Sequence, residues 1–213
     1  DRVRGQPGEV ADTSLDLANL VVNYDLGWAG LTSAVSWVDR GSEWTQAYDH
    51  SVIALPSRKA TSGFKSFTAE LRLASKGSGP LRFLGGVFHE TIDQSYRQSY
   101  HWPGPPQTNP YGATPQLLLL SDGGAGDVEQ HALFGELSYD LLEQLTATLG
   151  GRYFAYEKDF VGVNYGPVAT SPGVMKNTSV HDDGATFKAR LPHRLAPDAM
   201  LYASWSQGFR VGP

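Results

Sequence analysis

The sequence predicts an all-β fold: an antiparallel, up-and-down β-barrel that crosses a membrane. Three observations predict it. Apolar and polar residues alternate with a period of two through several runs. One of these runs is long for a water-soluble strand. The segments that join the runs are alternately short and long. Successive side chains of a strand point to opposite faces of its sheet, so a period of two marks a ribbon with two unlike faces.

The leading run is 144–158, QLTATLGGRYFAYEK. Leu145, Ala147, Leu149, Gly151, Tyr153 and Ala155 share one face; Thr146, Thr148, Gly150, Arg152, Phe154 and Tyr156 share the other. A strand in a soluble protein averages about five or six residues, whereas a tilted strand crossing a bilayer needs roughly nine to eleven.

The other elements follow in chain order. Residues 1–14 are polar, hold Gly5, Pro7 and Gly8, and read as a loop. Residues 15–24 alternate, with Ala18, Leu20, Val22 and Tyr24 against Asn19, Val21 and Asn23. After a tight connection at Asp25, Leu26, Gly27 and Trp28, the run 31–39 returns with Leu31, Val35 and Trp37 on one face, which is a hairpin signal. Residues 40–65 read as a long loop. Residues 66–75 place Phe67, Ala69, Leu71 and Leu73 opposite Thr68, Glu70 and Arg72. A turn at 76–80 leads to a strand at 81–90, where the pair Gly85 and Gly86 marks a bend or a close contact. Residues 91–130 are proline-rich and read as a second long loop, with Leu117–Leu120 packed beneath it. Strands at 131–139 and 144–158 flank a turn at 140–143. A third long loop at 159–183 precedes a strand at 184–191, in which Phe187, Ala189 and Leu191 oppose Lys188 and Arg190. A turn at 192–199 and a strand at 200–210 end the series, with Leu201, Ala203 and Trp205 together.

In a meander, every second connection falls at the same end. All the short turns therefore lie at one end of the sheet and all the long loops at the other, as in outer-membrane barrels. Tyr24 and Trp28 sit near a short turn, and Trp37 and Tyr153 toward the long-loop ends, as rings do at headgroup level. Glu70, Arg72, Arg152, Lys188 and Arg190 avoid the apolar face. Two alternatives remain open from the residues alone. One is a small closed barrel of about eight strands, acting as an adhesin or structural protein. The other is a soluble β-sandwich that binds carbohydrate.

Composition narrows the function. Of 213 residues, 40% are hydrophobic, and no apolar run is long enough for a transmembrane helix. The net charge of -5 argues against nucleic acid as a partner. With Cys at 0, a disulfide scaffold, a cysteine-ligated zinc site and a thiol nucleophile are excluded. The chain opens on Asp1-Arg2-Val3-Arg4 without a signal peptide, so an outer-membrane protein is expected here in processed form or as a piece. The 6 histidines show no metal-pair spacing, so no metal and no cofactor is expected. The run Gly123-Gly124-Ala125-Gly126-Asp127 reads as a flexible loop rather than a calcium repeat, and Asn177-Thr178-Ser179 as a chance acceptor motif. No nucleophile elbow, phosphate loop or dinucleotide fingerprint is present, so no enzyme is expected.

The segments NYDLGWAGLTSAVSWVDR (23–40), FTAELRLAS (67–75), LFGELSYDLLEQLTATLGGRYFAYEK (133–158) and LYASWSQGFRVGP (201–213) resemble the barrel region of TonB-dependent outer-membrane receptors, the siderophore-receptor-like members above all. The resemblance covers most strands and little of the long loops. It implies that the whole chain, 1–213, is about eight strands of a barrel of about twenty-two, in the bacterial outer membrane. It implies an active importer of a scarce ligand, an iron–siderophore complex, energised through TonB. Its partners would be outer-membrane lipid, the remaining strands and plug of the parent receptor, TonB through an N-terminal region absent here, and the extracellular ligand. No plug segment or N-terminal box is recognisable, so a mid-barrel fragment or truncated product is expected. Ligand contacts are expected from the long loops, at Trp44, Tyr48, His50, Tyr96, Arg97, Tyr100, His101 and Trp102, because aromatic and cationic groups suit an anionic iron chelate.

Overall fold

The structure, a computed structural model, describes residues 9–47, 57–102, 108, 117–165, 173 and 175–208. Eight strands run in chain order: β1 (Val10–Asp25), β2 (Ala29–Ala47), β3 (Ser57–Ser75), β4 (Leu81–His101), β5 (Leu117–Leu142), β6 (Leu145–Tyr165), β7 (Met175–Ala196) and β8 (Ala199–Ser206). They form one antiparallel sheet in which each strand pairs only with its neighbours in sequence. Among the described residues β1 and β8 do not pair, so the sheet is an open wall. That overturns the small closed barrel. Among the described residues there is a single sheet with no second one packed on it, which also overturns the sandwich.

The register fixes the two faces, because directly paired residues of an antiparallel ladder point the same way. One face carries Leu20, Val35, Leu71, Val87, Leu133, Leu149 and Phe187, most of them exposed. The other carries Phe88, Ala132, Phe154, Tyr156 and Val180, which pack together. The ion pairs Arg72–Glu70 and Lys188–Glu136 lie on this inner face too. At its short-turn end, Arg82 clasps Asp140 through both guanidinium nitrogens at 2.6 and 2.7 Å. The outer face is thus apolar, as the strand pattern predicts, while the inner face carries ion pairs together with a small packed aromatic cluster.

The turns are tighter than the sequence suggests. β5 and β6 are joined by Glu143 and Gln144 alone, and β7 and β8 by Pro197 and Asp198. In the first turn Gly27 adopts a φ of 83°, a conformation open to glycine, while its N–H donates to Asp25 Oδ1 at 2.7 Å.

The other ends show the larger correction. β1 begins at Val10, inside the expected N-terminal loop, and each of the three expected loops is partly strand. β2 runs to Ala47, β4 to His101 and β6 to Tyr165. Leu117–Leu120 is not packed under a loop: it opens β5 and is paired with β4 and β6. The glycine run 123–126 is likewise part of β5, where a one-residue bulge lies between Gly123 and Ala125.

These stretches escaped the sequence reading for a physical reason. Trp28 and Trp37 lie nine positions apart, about 30 Å along a strand and about 23 Å in height once tilt is allowed for. That matches the apolar band of a barrel, about 25 Å tall. Beyond Trp37 the outward residues of β2 and β3 are charged or small, Asp39, Gly41, Glu43 and Thr45 against Lys65, Gly63, Thr61 and Lys59, with ion pairs Lys65–Asp39 at 3.6 Å and Lys59–Glu43 at 2.6 Å. There both faces of the wall meet water, so the ladder of backbone bonds continues while the apolar alternation stops.

The tilt itself is readable. Trp37 on β2 lies level in the ladder with Glu157 on β6, through Phe67, Thr91 and Glu129. Yet the outward ring of β6 is Tyr153, four residues lower. Four residues span about 13 Å and four strand spacings about 19 Å, which gives a tilt of about 35°, inside the range of such barrels. The upper boundary of the band therefore passes obliquely through Trp37, Phe67, His89, His131, Tyr153 and Phe187.

Above that boundary, Asp93, Asp127 and Asp159 cluster on the outer face. Burial, then a hydrogen bond and charge from Asp93, then the charge of Asp159, hold the Asp127 carboxyl above its ordinary range. The folded chain therefore binds a proton at Asp127 more readily than the unfolded chain, and stability is lost as pH rises through this titration. Asp127→Asn is expected to raise the thermal midpoint of the full-length protein in detergent at pH 7.5. The gain should shrink as the pH falls below the ordinary Asp pKa, where the wild-type carboxyl becomes neutral in both states.

Candidate ligand-binding site

Five of the eight candidate residues lie on strand extensions rather than on loops. Tyr48 and His50 fall outside the described residues. Trp44 stands on β2, and Tyr96, Arg97, Tyr100 and His101 stand on β4. Trp102 follows directly, its Nε1 donating to Thr108 Oγ1 at 3.3 Å.

Pairing divides the set. Trp44 opposes Ala60, Tyr96 opposes Ser62 and Tyr100 opposes Arg58, all on the inner face. Arg97 opposes Thr61 and His101 opposes Ser57, which turns both toward the outer face. His101 Nε2 there meets Ser99 Oγ at 2.9 Å. One strand thus sends its aromatic hydroxyls inward and its Arg97 cation outward, a split that the period of two imposes.

The inner group is linked by contacts. The rings of Trp44 and Tyr96 lie 6.0 Å apart, and the Arg58 guanidinium stands 5.9 Å from the Trp44 ring. Arg58 Nη2 donates to the Tyr96 hydroxyl, which donates in turn to Gln98 Oε1 at 2.9 Å. Ala60, the cross-strand partner of Trp44, is 1% exposed. Lower on the same face, Arg40 stands 5.7 Å from the Phe64 ring and Arg152 5.3 Å from the Phe88 ring. A cation on the face of an aromatic ring recurs at three depths down the inner wall. In each pair the guanidinium lies against the face of the ring.

Arg58 and Gln98 were not among the expected residues. Their signal is present: Arg58, Ala60, Ser62 and Phe64 alternate with Lys59, Thr61 and Gly63. It has no apolar stripe to reveal it, because neither face is greasy there. The cluster stands seven residues beyond Trp37, about 18 Å above the apolar band.

Histidines the sequence kept apart also meet. His89 and His131 pair directly across β4 and β5, with Nδ1 atoms 3.2 Å apart. They share the outer face with Glu129, whose Oε1 lies 3.1 Å from His131 Nε2.

Comparison with known proteins places this wall. Residues 2–213 match the family model of the TonB dependent receptor-like β-barrel. No curated protein matches the chain in sequence. Among solved structures, the ferric yersiniabactin uptake receptor FyuA of Yersinia pestis superposes with a TM-score of 0.76 at 14% identity, over 92% of this chain and 29% of the receptor. The siderophore receptor PiuA of Acinetobacter baumannii gives 0.62 at 15% identity, over 93% and 32%. The copper transporter OprC gives 0.67 at 15% identity, over 93% and 31%. The chain thus spans about a third of these proteins, and at such identities the likeness speaks for the fold.

Proposed function

Because the chain belongs to the TonB-dependent receptor-like β-barrel family of the bacterial outer membrane, whose members are transport receptors and not enzymes, we propose that it forms part of the wall of an importer for an iron–siderophore complex. The observation that carries the ligand class is the inward cluster of Trp44, Arg58, Tyr96 and Gln98 near the outer mouth. Among the structures of this shape are receptors named for siderophores and a transporter named for copper. A guanidinium repels a bare metal cation and attracts an anionic chelate, while Trp44 and Tyr96 offer faces to its aryl or hydroxamate arms. The chelate is the cargo, and no resident cofactor is involved.

On this reading, Trp44, Arg58, Tyr96, Gln98 and Tyr100 line the path of the ligand, and Arg97 and His101 stand outside it. The domain is one sector of a larger barrel, whose other strands close the wall. A plug within that barrel, pulled through TonB, releases the ligand inward.

Arg58→Ala in the full-length protein removes the cation and leaves the Tyr96 hydroxyl without its donor. A hydrogen bond to a charged group contributes about 1.5–3 kcal/mol, so binding of ferric siderophores should weaken by about 10- to 100-fold. Arg97→Ala should leave binding unchanged. Fluorescence quenching by a panel of catecholate and hydroxamate iron chelates reads both. Equal affinities for the wild type and the Arg58→Ala variant would remove the cluster from the ligand path. Uptake of radiolabelled iron that persists after loss of TonB would remove the energised step.

A further inference from the structure

We propose that His89, His131 and Glu129 form a binding site for a divalent transition metal on the outer wall of the barrel, separate from the ligand path. The site is built by the ladder. His89 and His131 are direct cross-strand partners, and Glu129 lies two residues before His131, on the same face of β5. One ligand atom from each of the three lies within 4.8 Å of the others.

The spacing suits the chemistry. Two imidazole nitrogens bound at about 2.0–2.1 Å to a tetrahedral ion are about 3.3 Å apart. The two Nδ1 atoms stand 3.2 Å apart already, with the rings stacked at a centroid distance of 4.7 Å. Glu129 Oε1, 3.1 Å from His131 Nε2, reaches the ion by side-chain rotation. The Phe67 ring, 6.3 Å from the His89 ring, braces that imidazole from β3. Two nitrogens and one carboxylate select zinc, nickel or copper over calcium or magnesium.

The surroundings favour a cation. Asp93, Asp127, Glu157 and Asp159 line a hollow with Glu129 directly above the histidines. Lys65, an outward amine of β3, is turned to Asp39 at 3.6 Å. The inner face contributes no ligand, since Glu90 and Gln130 point through the wall to the lumen. The pair lies at the upper edge of the apolar band, where water reaches the ion and supplies its remaining position. A bound ion would clip β4 to β5 at the membrane–water boundary.

The test uses full-length protein in detergent micelles, stripped with a chelator. Zinc titrations by calorimetry should show one equivalent that His89→Ala and His131→Ala both lose. Glu129→Gln should weaken it by about 10- to 100-fold. Copper loaded at one equivalent should show imidazole nitrogen couplings in its electron paramagnetic resonance spectrum, reduced in either histidine variant. His131→Gln keeps the bulk and polarity of the site, and heat-modifiable migration on a gel confirms that this variant is folded. Zinc stoichiometry and affinity unchanged in folded His131→Gln would overturn the proposal, as would a wild-type protein that takes up no zinc. Siderophore binding should be the same in every one of these variants, so the result stands apart from the Arg58 experiment.

Discussion

Arginine in place of Leu149 is expected to prevent the full-length protein from assembling into a bilayer. Leu149 is 66% exposed on the outer face of β6, four residues below Tyr153, near the middle of the apolar band. A charge facing lipid at that depth costs about 2–4 kcal/mol, a large share of the stability of a typical domain. The inward-facing control is Ser36→Arg. Ser36 accepts a hydrogen bond from Asn19 at 2.8 Å on the lumen side, where a guanidinium stays hydrated. The two variants carry the same charge on opposite faces. Folding yield into vesicles, read by heat-modifiable migration, should collapse for Leu149→Arg and stay near wild type for Ser36→Arg. Equal yields would mean that the outer stripe does not meet lipid.

Alanine in place of Gly86 should cost about 1–3 kcal/mol or more, by overpacking. A Cβ at this inner-face position would stand 2.5 Å from the Leu71 carbonyl oxygen and 2.6 Å from Phe134 Cζ. The ring can turn away, but the carbonyl belongs to the β3 backbone and cannot move without breaking the ladder. Removing the ring as well, in Gly86→Ala with Phe134→Ala, should therefore recover only part of the loss. Gly184→Ala supplies the comparison. Its Cβ would meet Phe154 Cζ at 3.0 Å, a side-chain contact alone, and the penalty should be smaller. Urea unfolding midpoints of the detergent-solubilised protein rank the three. An unperturbed Gly86→Ala would mean that β3 and β4 leave room for a Cβ at this position.

The legible part of this fold is the part that lies in lipid. Between Trp28 and Trp37, or from Leu145 to Ala155, one face must be apolar and the other tolerates charge, so the strand announces itself and its orientation. The pairing of Gly86 with Phe134 was half visible: a close contact was readable at Gly85 and Gly86, the ring that fills it was not. Above the band the constraint changes. Arg58, Ala60 and Ser62 alternate with Lys59, Thr61 and Gly63, and no hydropathy difference tells inner from outer. The candidate site was hidden for that reason, although its aromatic members Trp44, Tyr96 and Tyr100 stood out by residue type. Arg97 was grouped with them as a cation of the same expected loop, and the pleat separates them. His89 and His131 are 42 residues apart, and only the ladder brings them face to face.

The continuation of the strands past the lipid has a consequence for selectivity. The ladder carries the wall on above the lipid, its shape held by backbone bonds rather than by the shifting of loops. On the proposed reading, a molecule that touches Trp44 or Tyr96 is still far from the bilayer, in bulk-like solvent, and free to leave. Sorting of cargo at this rim would then be separated in space from commitment to passage, which falls to the deeper stretch of the wall that carries Arg40 and Arg152.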